Sequence, residues 1–210
     1  MKLKLQLKMK FSQLLNDFKE MKHYLIVSTL VLILGIVLGI WYTDLFETLL
    51  TAQLERMKEL IKGLAEKENQ QWSMFVLILL NNLRALSMVI ILGVFFGIFP
   101  LFFLLSNGLL IGFLASQHMN GATWFYFLKG ILPHGIIEIP ALIIASAYGI
   151  RFGFLMGEGI ISVINAERRA KFVLKFSSFS RILLPLSILL SLMVFVAAVI
   201  ESTLTYAIMK

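Results

Sequence analysis

Long apolar stretches alternate with short polar segments along this chain. The pattern predicts membrane spans at about residues 24–42, 72–97, 106–118, 132–152 and 182–203. The hydrocarbon core of a bilayer is about 30 Å thick, which takes about 20 helical residues to cross. The region from 72 to 118 is too long for one crossing and fits either two crossings or one crossing with a re-entrant segment. We therefore predict an all-α polytopic membrane helix bundle with about five transmembrane helices.

Basic residues occur in two groups, before the first span and between the fourth and fifth: Lys2, Lys4, Lys8, Lys10, Lys19, Lys22; Arg168, Arg169, Lys171, Lys175, Arg181. Such segments stay in the cytoplasm. Five crossings place both groups there, with a cytoplasmic N-terminus and an extracytoplasmic C-terminus. We predict a cytoplasmic basic arm at 1–23, in which residues 1–11 are solvated rather than a strand. We also predict a cytoplasmic basic loop at about 158–181 and a membrane core at 72–204. The first span lacks a following cleavage site, so it is interpreted as a transmembrane helix rather than a signal peptide.

The segment between the first two spans, residues 43–71, has apolar residues at helical spacing. Its apolar side includes Leu50, Leu54, Met57 and Ile61, with glutamate and lysine residues on the other side. This spacing predicts an extracytoplasmic amphipathic helix. Two interpretations remain open. The helix lies on the bilayer or on the bundle, or it provides a docking surface for an external partner.

Composition supports a membrane protein and narrows its partners. Hydrophobic residues make up 59% of the 210 residues and charged residues only 15%, which is more apolar surface than one soluble core buries. The net charge of +7 comes from the two basic groups, a topology pattern, so no nucleic-acid partner is predicted. We expect membrane lipid and other membrane or envelope proteins as partners. The absence of cysteine excludes disulfides and thiolate metal sites.

Polar side chains inside the predicted spans are the candidate site residues: Asn81, Asn82, Arg84, Asn107, His134 and Glu138. A polar or ionisable group is costly in hydrocarbon, so each needs a structural or functional explanation. Arg84 needs an acceptor, and Glu138 is the candidate if the second and fourth spans are neighbours. A structural pair that fixes helix register is one interpretation, and a proton or ion relay is the other. Arg151 is expected to extend towards lipid headgroups.

Two prolines flank the polar residues of the fourth span. Pro133 suits a first helical turn, whereas Pro140 removes a backbone donor in mid-span and predicts a kinked or broken helix. His134 and Glu138 share one helix face, but the spacing lacks the second histidine of a zinc-binding H-E-x-x-H helix. We predict no metal site, no cofactor and no catalytic residues, and we expect that the chain is not an enzyme.

Glycines recur four residues apart within the spans: Gly35 with Gly39, Gly93 with Gly97, Gly108 with Gly112, and Gly149, Gly153 and Gly157 in series. Small residues at this spacing let two helices approach closely in lipid, where no hydrophobic force draws helices together. The pattern predicts helix packing, either within one subunit or across a homo-oligomer interface.

These motifs resemble the stage II sporulation protein M family, also known as the domain of unknown function 95 family. The resemblance covers about residues 81–157 and rests on Asn81-Asn82 with Arg84, Gly93-x-x-x-Gly97, Asn107-Gly108-x-x-x-Gly112, Pro133-His134-Gly135-x-x-Glu138-x-Pro140, and Gly149. It implies a multispan membrane protein with no known enzymatic activity. The sporulation member recruits cell-wall hydrolases to the septal membrane. Other relatives occur beside circular-bacteriocin genes and are linked to export or immunity.

The resemblance therefore implies a non-enzymatic membrane scaffold or complex subunit that recruits peptidoglycan-remodelling or other envelope proteins. The alternative is a transporter-like or export and immunity component. That alternative uses the polar intramembrane residues to line a cavity at a discontinuous helix.

Overall fold

The computed structural model describes residues 14–65, 69–117 and 123–205. Within these ranges, side chains are described except at residues 49, 57–58, 60–65, 70, 123–134 and 204–205. The described backbone is helical, in the following order: α1 over residues 14–20, α2 (Lys22–Trp41), α3 (Thr43–Ala65), α4 (Gln70–Leu92), α5 (Ile98–Gln117), α6 (Thr123–Ser162), α7 (Ala166–Ile200) and a π-helical turn (Glu201–Thr205).

Five of these helices are long and apolar enough to cross a membrane, at Lys22–Trp41, Gln71–Leu92, Ile98–Gln117, Gly135–Ser162 and Ala166–Thr203. The predicted all-α bundle is confirmed. The α6 span is central, because 56% of its most apolar window is buried, the largest share among the five. Small residues such as Ala141, Ala145 and Ala147 are fully or almost fully buried there and allow neighbouring helices to lie close.

The third span begins earlier than the sequence predicted. α5 starts at Ile98 instead of residue 106 and is a full-length helix rather than a short re-entrant segment. The chain reverses between α4 and α5 in a tight turn at residues 93–97, where Phe96 and Gly97 have φ angles of 56° and 74°. Pro100 follows in the first turn of α5, where a missing N–H costs no intrahelical hydrogen bond.

The fourth span is not divided at either proline. α6 runs as one 40-residue helix through Pro133 and Pro140, so the predicted broken span is wrong. A proline removes only one backbone donor, and packed neighbours stabilise the flanking turns of a membrane helix. α7 continues through Pro185 in the same way.

The predicted basic loop at 158–181 is also wrong, because most of it is helical. α6 ends at Ser162, α7 begins at Ala166, and only residues 163–165 connect them. Asn165 caps α7 by accepting hydrogen bonds from the backbone N–H groups of Glu167 and Arg168. The charges that suggested a loop lie on a solvated helix surface, as in the pair between Lys171 and Glu167 four residues apart.

The hairpin formed by α6 and α7 extends beyond the other helices. Gly97 of the α4–α5 turn lies against Ile150, and Tyr24 near the start of α2 lies 6.0 Å from Phe154, measured between ring centroids. The other spans therefore end at the level of residues 150–154 of α6, which we call the turn end of the bundle. α6 continues for about two further turns, and α7, at about 52 Å, is much longer than a hydrocarbon core.

The described part of the N-terminal arm packs against the bundle. Residues 14–20 form α1, and Leu14 and Met21 are 2% and 1% exposed. The spacing of Leu14, Phe18 and Met21 creates an apolar helix face. This spacing is hard to recognise in the sequence because lysines occur around it. Residues 1–13 of the predicted arm, including the segment 1–11 predicted to be solvated, lie outside the described residues.

The predicted amphipathic helix is present as α3. Leu50 is buried and Leu54 is half-buried, and α3 packs against α4 and α5. Charged side chains lie exposed along α3: Asp44, Glu47, Glu55, Arg56 and Glu59. The described part of the apolar face therefore packs on the bundle itself. The side chains of Met57 and Ile61 lie outside the description.

Candidate functional site

A buried polar network ties α1 to α6 at the turn end. The side chain of Asp17 is only 5% exposed, and both of its carboxylate oxygens accept hydrogen bonds from Nη1 of Arg151 at 2.7 Å. The hydroxyl of Tyr148 donates to Oδ2 of Asp17, also at 2.7 Å. Arg151 and Tyr148 are three residues apart, so one face of α6 presents both donors to the carboxylate.

Aromatic rings surround this network. Phe18 meets Tyr148 edge to face at 6.1 Å, Phe152 stacks on Phe179 at 5.3 Å, and the Arg151 guanidinium lies 5.8 Å from the Phe179 ring centre. These rings reduce water access, which strengthens hydrogen bonds to the ionised carboxylate and makes an unpaired charge there costly. The arrangement holds α1 against α6 and α7.

Sequence reasoning did not identify this network. Arg151 was expected to extend towards headgroups, but it pairs with Asp17 instead, so that expectation is wrong. Two signals were available: the Tyr148 and Arg151 spacing on one helix face, and the placement of Asp17 between Leu14 and Met21 at helical intervals. Their contact depends on how α1 folds back, which no local pattern shows.

The predicted pair between Arg84 and Glu138 is not formed. Ion pairs among the described side chains join Arg151 to Asp17, Lys171 to Glu167, and Lys175 to Glu158. Arg84 is exposed on α4, whereas Glu138 is half-buried on α6. The reason is the direction of Arg84, which lies roughly 160° around the helix from the buried Leu86.

The other predicted polar residues do not converge within the described part of the structure. Asn107 donates from Nδ2 to the Phe103 carbonyl at 2.8 Å, within its own helix. Asn82 is half-buried and Asn81 is exposed on α4. His134 lies in α6, but its side chain, like that of Pro133, lies outside the description.

The predicted glycines other than Gly157, by contrast, lie against the backbone of a neighbouring element. Gly35 and Gly39 of α2 lie against Gly108 and Gly112 of α5, and a Cβ atom at Gly35 would lie 2.6 Å from the carbonyl oxygen of Leu105. Elsewhere, Gly93 lies against Gly149, and Gly153 lies against the α4–α5 turn at Gly97. The packing occurs within one subunit, and the backbones are close enough that a side chain would collide with a neighbouring helix.

An apolar groove of about 660 Å³ lies at the opposite end from the turn, between α4 and α7. Trp72 and Phe75 line one wall, with ring centres 5.4 Å apart, and Phe195 meets Phe75 edge to face at 5.7 Å. Polar groups, including Ser202 and Thr203, lie beside these rings. The groove offers apolar contact and a few hydrogen-bonding groups.

The fold and these contacts define a polytopic α-helical membrane protein with close glycine crossings and a buried ion pair. The family model of Stage II sporulation protein M matches residues 28–206, so the chain belongs to that family. An uncharacterized protein of Methanocaldococcus jannaschii is 32% identical over 184 residues, which cover 88% of this chain and 79% of that protein. No solved structure matches. The resemblance noted over residues 81–157 is confirmed, and the match extends well beyond it.

Proposed function

We propose that this protein is a non-enzymatic membrane scaffold or complex subunit that recruits envelope proteins, including peptidoglycan-remodelling proteins. The observation that carries the proposal is the α6–α7 hairpin, which extends past the other spans and exposes apolar side chains at its tip. Ile164 is 90% exposed, and Ile160 and Val163 are also largely exposed. An exposed apolar patch bordered by charged residues is typical of a protein-binding surface.

Internal contacts support the rigidity that a docking surface needs. Nζ of Lys175 bonds both carboxylate oxygens of Glu158, at 2.8 and 2.7 Å, and so joins the two arms of the hairpin. The Phe172 ring lies directly against Gly159. A rigid surface loses little conformational entropy when a partner binds.

The charged side of α3 is a second surface available to partners. Leu50 is buried and Leu54 is half-buried, whereas Glu47, Glu55 and Glu59 are exposed. With the turn end in the cytoplasm, the hairpin is cytoplasmic and α3 is extracytoplasmic, on the side where peptidoglycan lies. The protein then presents one docking surface on each side of the membrane.

The transporter-like alternative receives less support from the structure. Discontinuous helices line substrate sites in many transporters, whereas α6 is continuous through Pro140. Asn107, a predicted cavity residue, bonds to its own helix. We therefore favour the scaffold over the export or immunity component.

Orientation can be tested with reporter fusions. Alkaline phosphatase fused after Lys210 is expected to be active, and the same enzyme inserted at residues 163–165 is expected to be inactive, because the basic hairpin should remain cytoplasmic. Fluorescent protein fusions at the two sites should give the opposite result. An inactive phosphatase after Lys210 would contradict the proposed orientation.

The docking surfaces can be tested by quantitative co-purification of the full chain from native membranes. Alanine at both Ile160 and Ile164 should reduce recovery of cytoplasmic partners by about tenfold, since a few buried anchors supply most binding energy. Glutamine at Glu47, Glu55 and Glu59 should reduce recovery of extracytoplasmic partners.

Alanine at Ile26 and Leu30, two exposed positions on the α2 span, provides the matched control and should leave recovery unchanged. All variants should insert at the wild-type level. If every variant recovers the same proteins in the same amounts, neither surface recruits partners and the scaffold proposal fails.

A further inference from the structure

The outward side of α4 carries polar side chains within a membrane span. Asn81, Arg84 and Ser87 are exposed, one helical turn apart, on the side away from the buried Leu86 and Val89. Leu80, Met88 and Ile91 are the exposed apolar residues on the same side. We call these six residues the α4 stripe: Leu80, Asn81, Arg84, Ser87, Met88 and Ile91.

The depth of Arg84 makes its exposure significant. It lies inside the span Gln71–Leu92, about 12 Å along the helix axis from Leu92. A guanidinium facing hydrocarbon at this depth is costly, and intramembrane charges almost always face protein or a water-filled cavity. The described part of the subunit therefore leaves the Arg84 guanidinium in an unfavourable environment, which contact with a neighbouring molecule would relieve.

We propose that the α4 stripe docks a transmembrane helix of another protein, and that this helix carries an aspartate or glutamate at the depth of Arg84. The proposal rests on the scaffold function, of which it specifies a binding surface and the chemistry of the partner. A carboxylate carries the charge opposite to that of the guanidinium and accepts two parallel hydrogen bonds from it. Asn81 and Ser87, one turn to either side, add amide and hydroxyl groups that can hydrogen-bond across the helix interface.

Charge and depth favour this occupant over two others. A phosphate headgroup lies beyond the hydrocarbon. To reach it, the Arg84 side chain would have to extend along the helix over most of the distance that separates Arg84 from Leu92. A second copy related by an axis along the membrane normal would place two Arg84 side chains face to face at one depth, where like charges repel. A different helix with a carboxylate avoids both difficulties.

Site-specific photocrosslinking of the full chain in its native membrane tests the proposal. A photoreactive amino acid at Leu80, Met88 or Ile91 should yield the same crosslinked protein. Ile33, an exposed position on α2, is the matched control and should yield at least about tenfold less of that product. Arg84→Gln should lower the crosslinking yield by about tenfold or more, and Arg84→Lys should retain part of it. Because Arg84 is exposed, both variants should keep the thermal stability of the wild type in detergent.

Charge exchange provides the decisive result. Neutralising the intramembrane carboxylate of the captured protein should lower the yield as Arg84→Gln does. Arg84→Asp combined with arginine at the partner's carboxylate position should restore it. A crosslinked partner without an intramembrane carboxylate, a product of twice the chain mass, lipid adducts alone, or an unchanged yield with Arg84→Gln would each overturn the proposal.

The two proposals can fail separately. If the hairpin or α3 variants lose partners while the α4 stripe captures no protein, the scaffold function stands and this inference fails. If neither experiment recovers a partner, both proposals fail.

Discussion

Arg151→Met is expected to destabilise the folded protein by about 3 to 5 kcal/mol, the cost of breaking a buried ion pair. The substitution preserves most of the side-chain volume but leaves the Asp17 carboxylate enclosed. Among the described residues, the Tyr148 hydroxyl is then its remaining hydrogen-bond donor. Asp17→Asn should cost less, because the Arg151 side chain is 21% exposed and can shift towards water. Unfolding in detergent, followed by heat or denaturant, measures each loss.

A double variant measures the coupling between Asp17 and Arg151. Asp17→Asn with Arg151→Met removes both charges, so much of the stability lost in Arg151→Met should return. Lys175→Met is the control. The Lys175 side chain is more than half exposed, so its ion pair with Glu158 should contribute about 1 kcal/mol or less to the free energy of unfolding. Strictly additive losses would show that Asp17 and Arg151 do not act together.

Thiol labelling can show whether α1 leaves α6 when the ion pair is broken. The chain contains no cysteine, so Leu14→Cys introduces a single thiol at a position that is almost fully buried. This thiol should react slowly with a maleimide in the wild-type background and rapidly in Arg151→Met, because α1 would no longer be held against α6. Equal rates would mean that the ion pair does not hold α1 in place.

The number and type of the spans could be predicted from the sequence because both depend on local hydropathy. About 20 apolar residues require a helix in lipid, whatever their neighbours are. The amphipathic α3 followed from helical spacing for the same reason. Span boundaries were less accurate: α5 begins at Ile98, directly after the glycine turn at residues 93–97, and not at the polar Ser106.

The polar contacts could not be predicted, because they depend on the direction of side chains and on distant packing. Arg84 and Glu138 occur in neighbouring spans, but Arg84 points away from the helix that carries Glu138. Asp17 and Arg151 are 134 residues apart and meet only because α1 folds against α6. Hydropathy likewise could not distinguish a charged loop from a hairpin whose charges lie on a helix surface.

The glycine crossing between α2 and α5 is the contact least able to accept a side chain. A Cβ atom at Gly112 would overlap the backbone of Ile36, and one at Gly39 would overlap the backbone of Leu109 and Phe113. A side chain could rotate away from such a collision, but backbone cannot. Gly112→Leu should therefore force α2 and α5 apart and abolish most of the folded protein, as judged by monodisperse elution in detergent.

Gly112→Ala gives a graded version of this result. Alanine favours a helix over glycine by about 1 kcal/mol, whereas overpacking costs about 1 to 3 kcal/mol and sometimes more. Because the collision here is with backbone, we expect the cost of overpacking to exceed the gain in helix propensity, with a net loss of about 2 kcal/mol in the free energy of unfolding.

Gly157 is the matched control on α6, since its Cβ atom would meet only the Phe96 ring at 3.9 Å. Gly157→Ala should be neutral or slightly stabilising and Gly157→Leu should fold. Equal losses at Gly112 and Gly157 would show that close backbone packing of α2 and α5 does not determine stability.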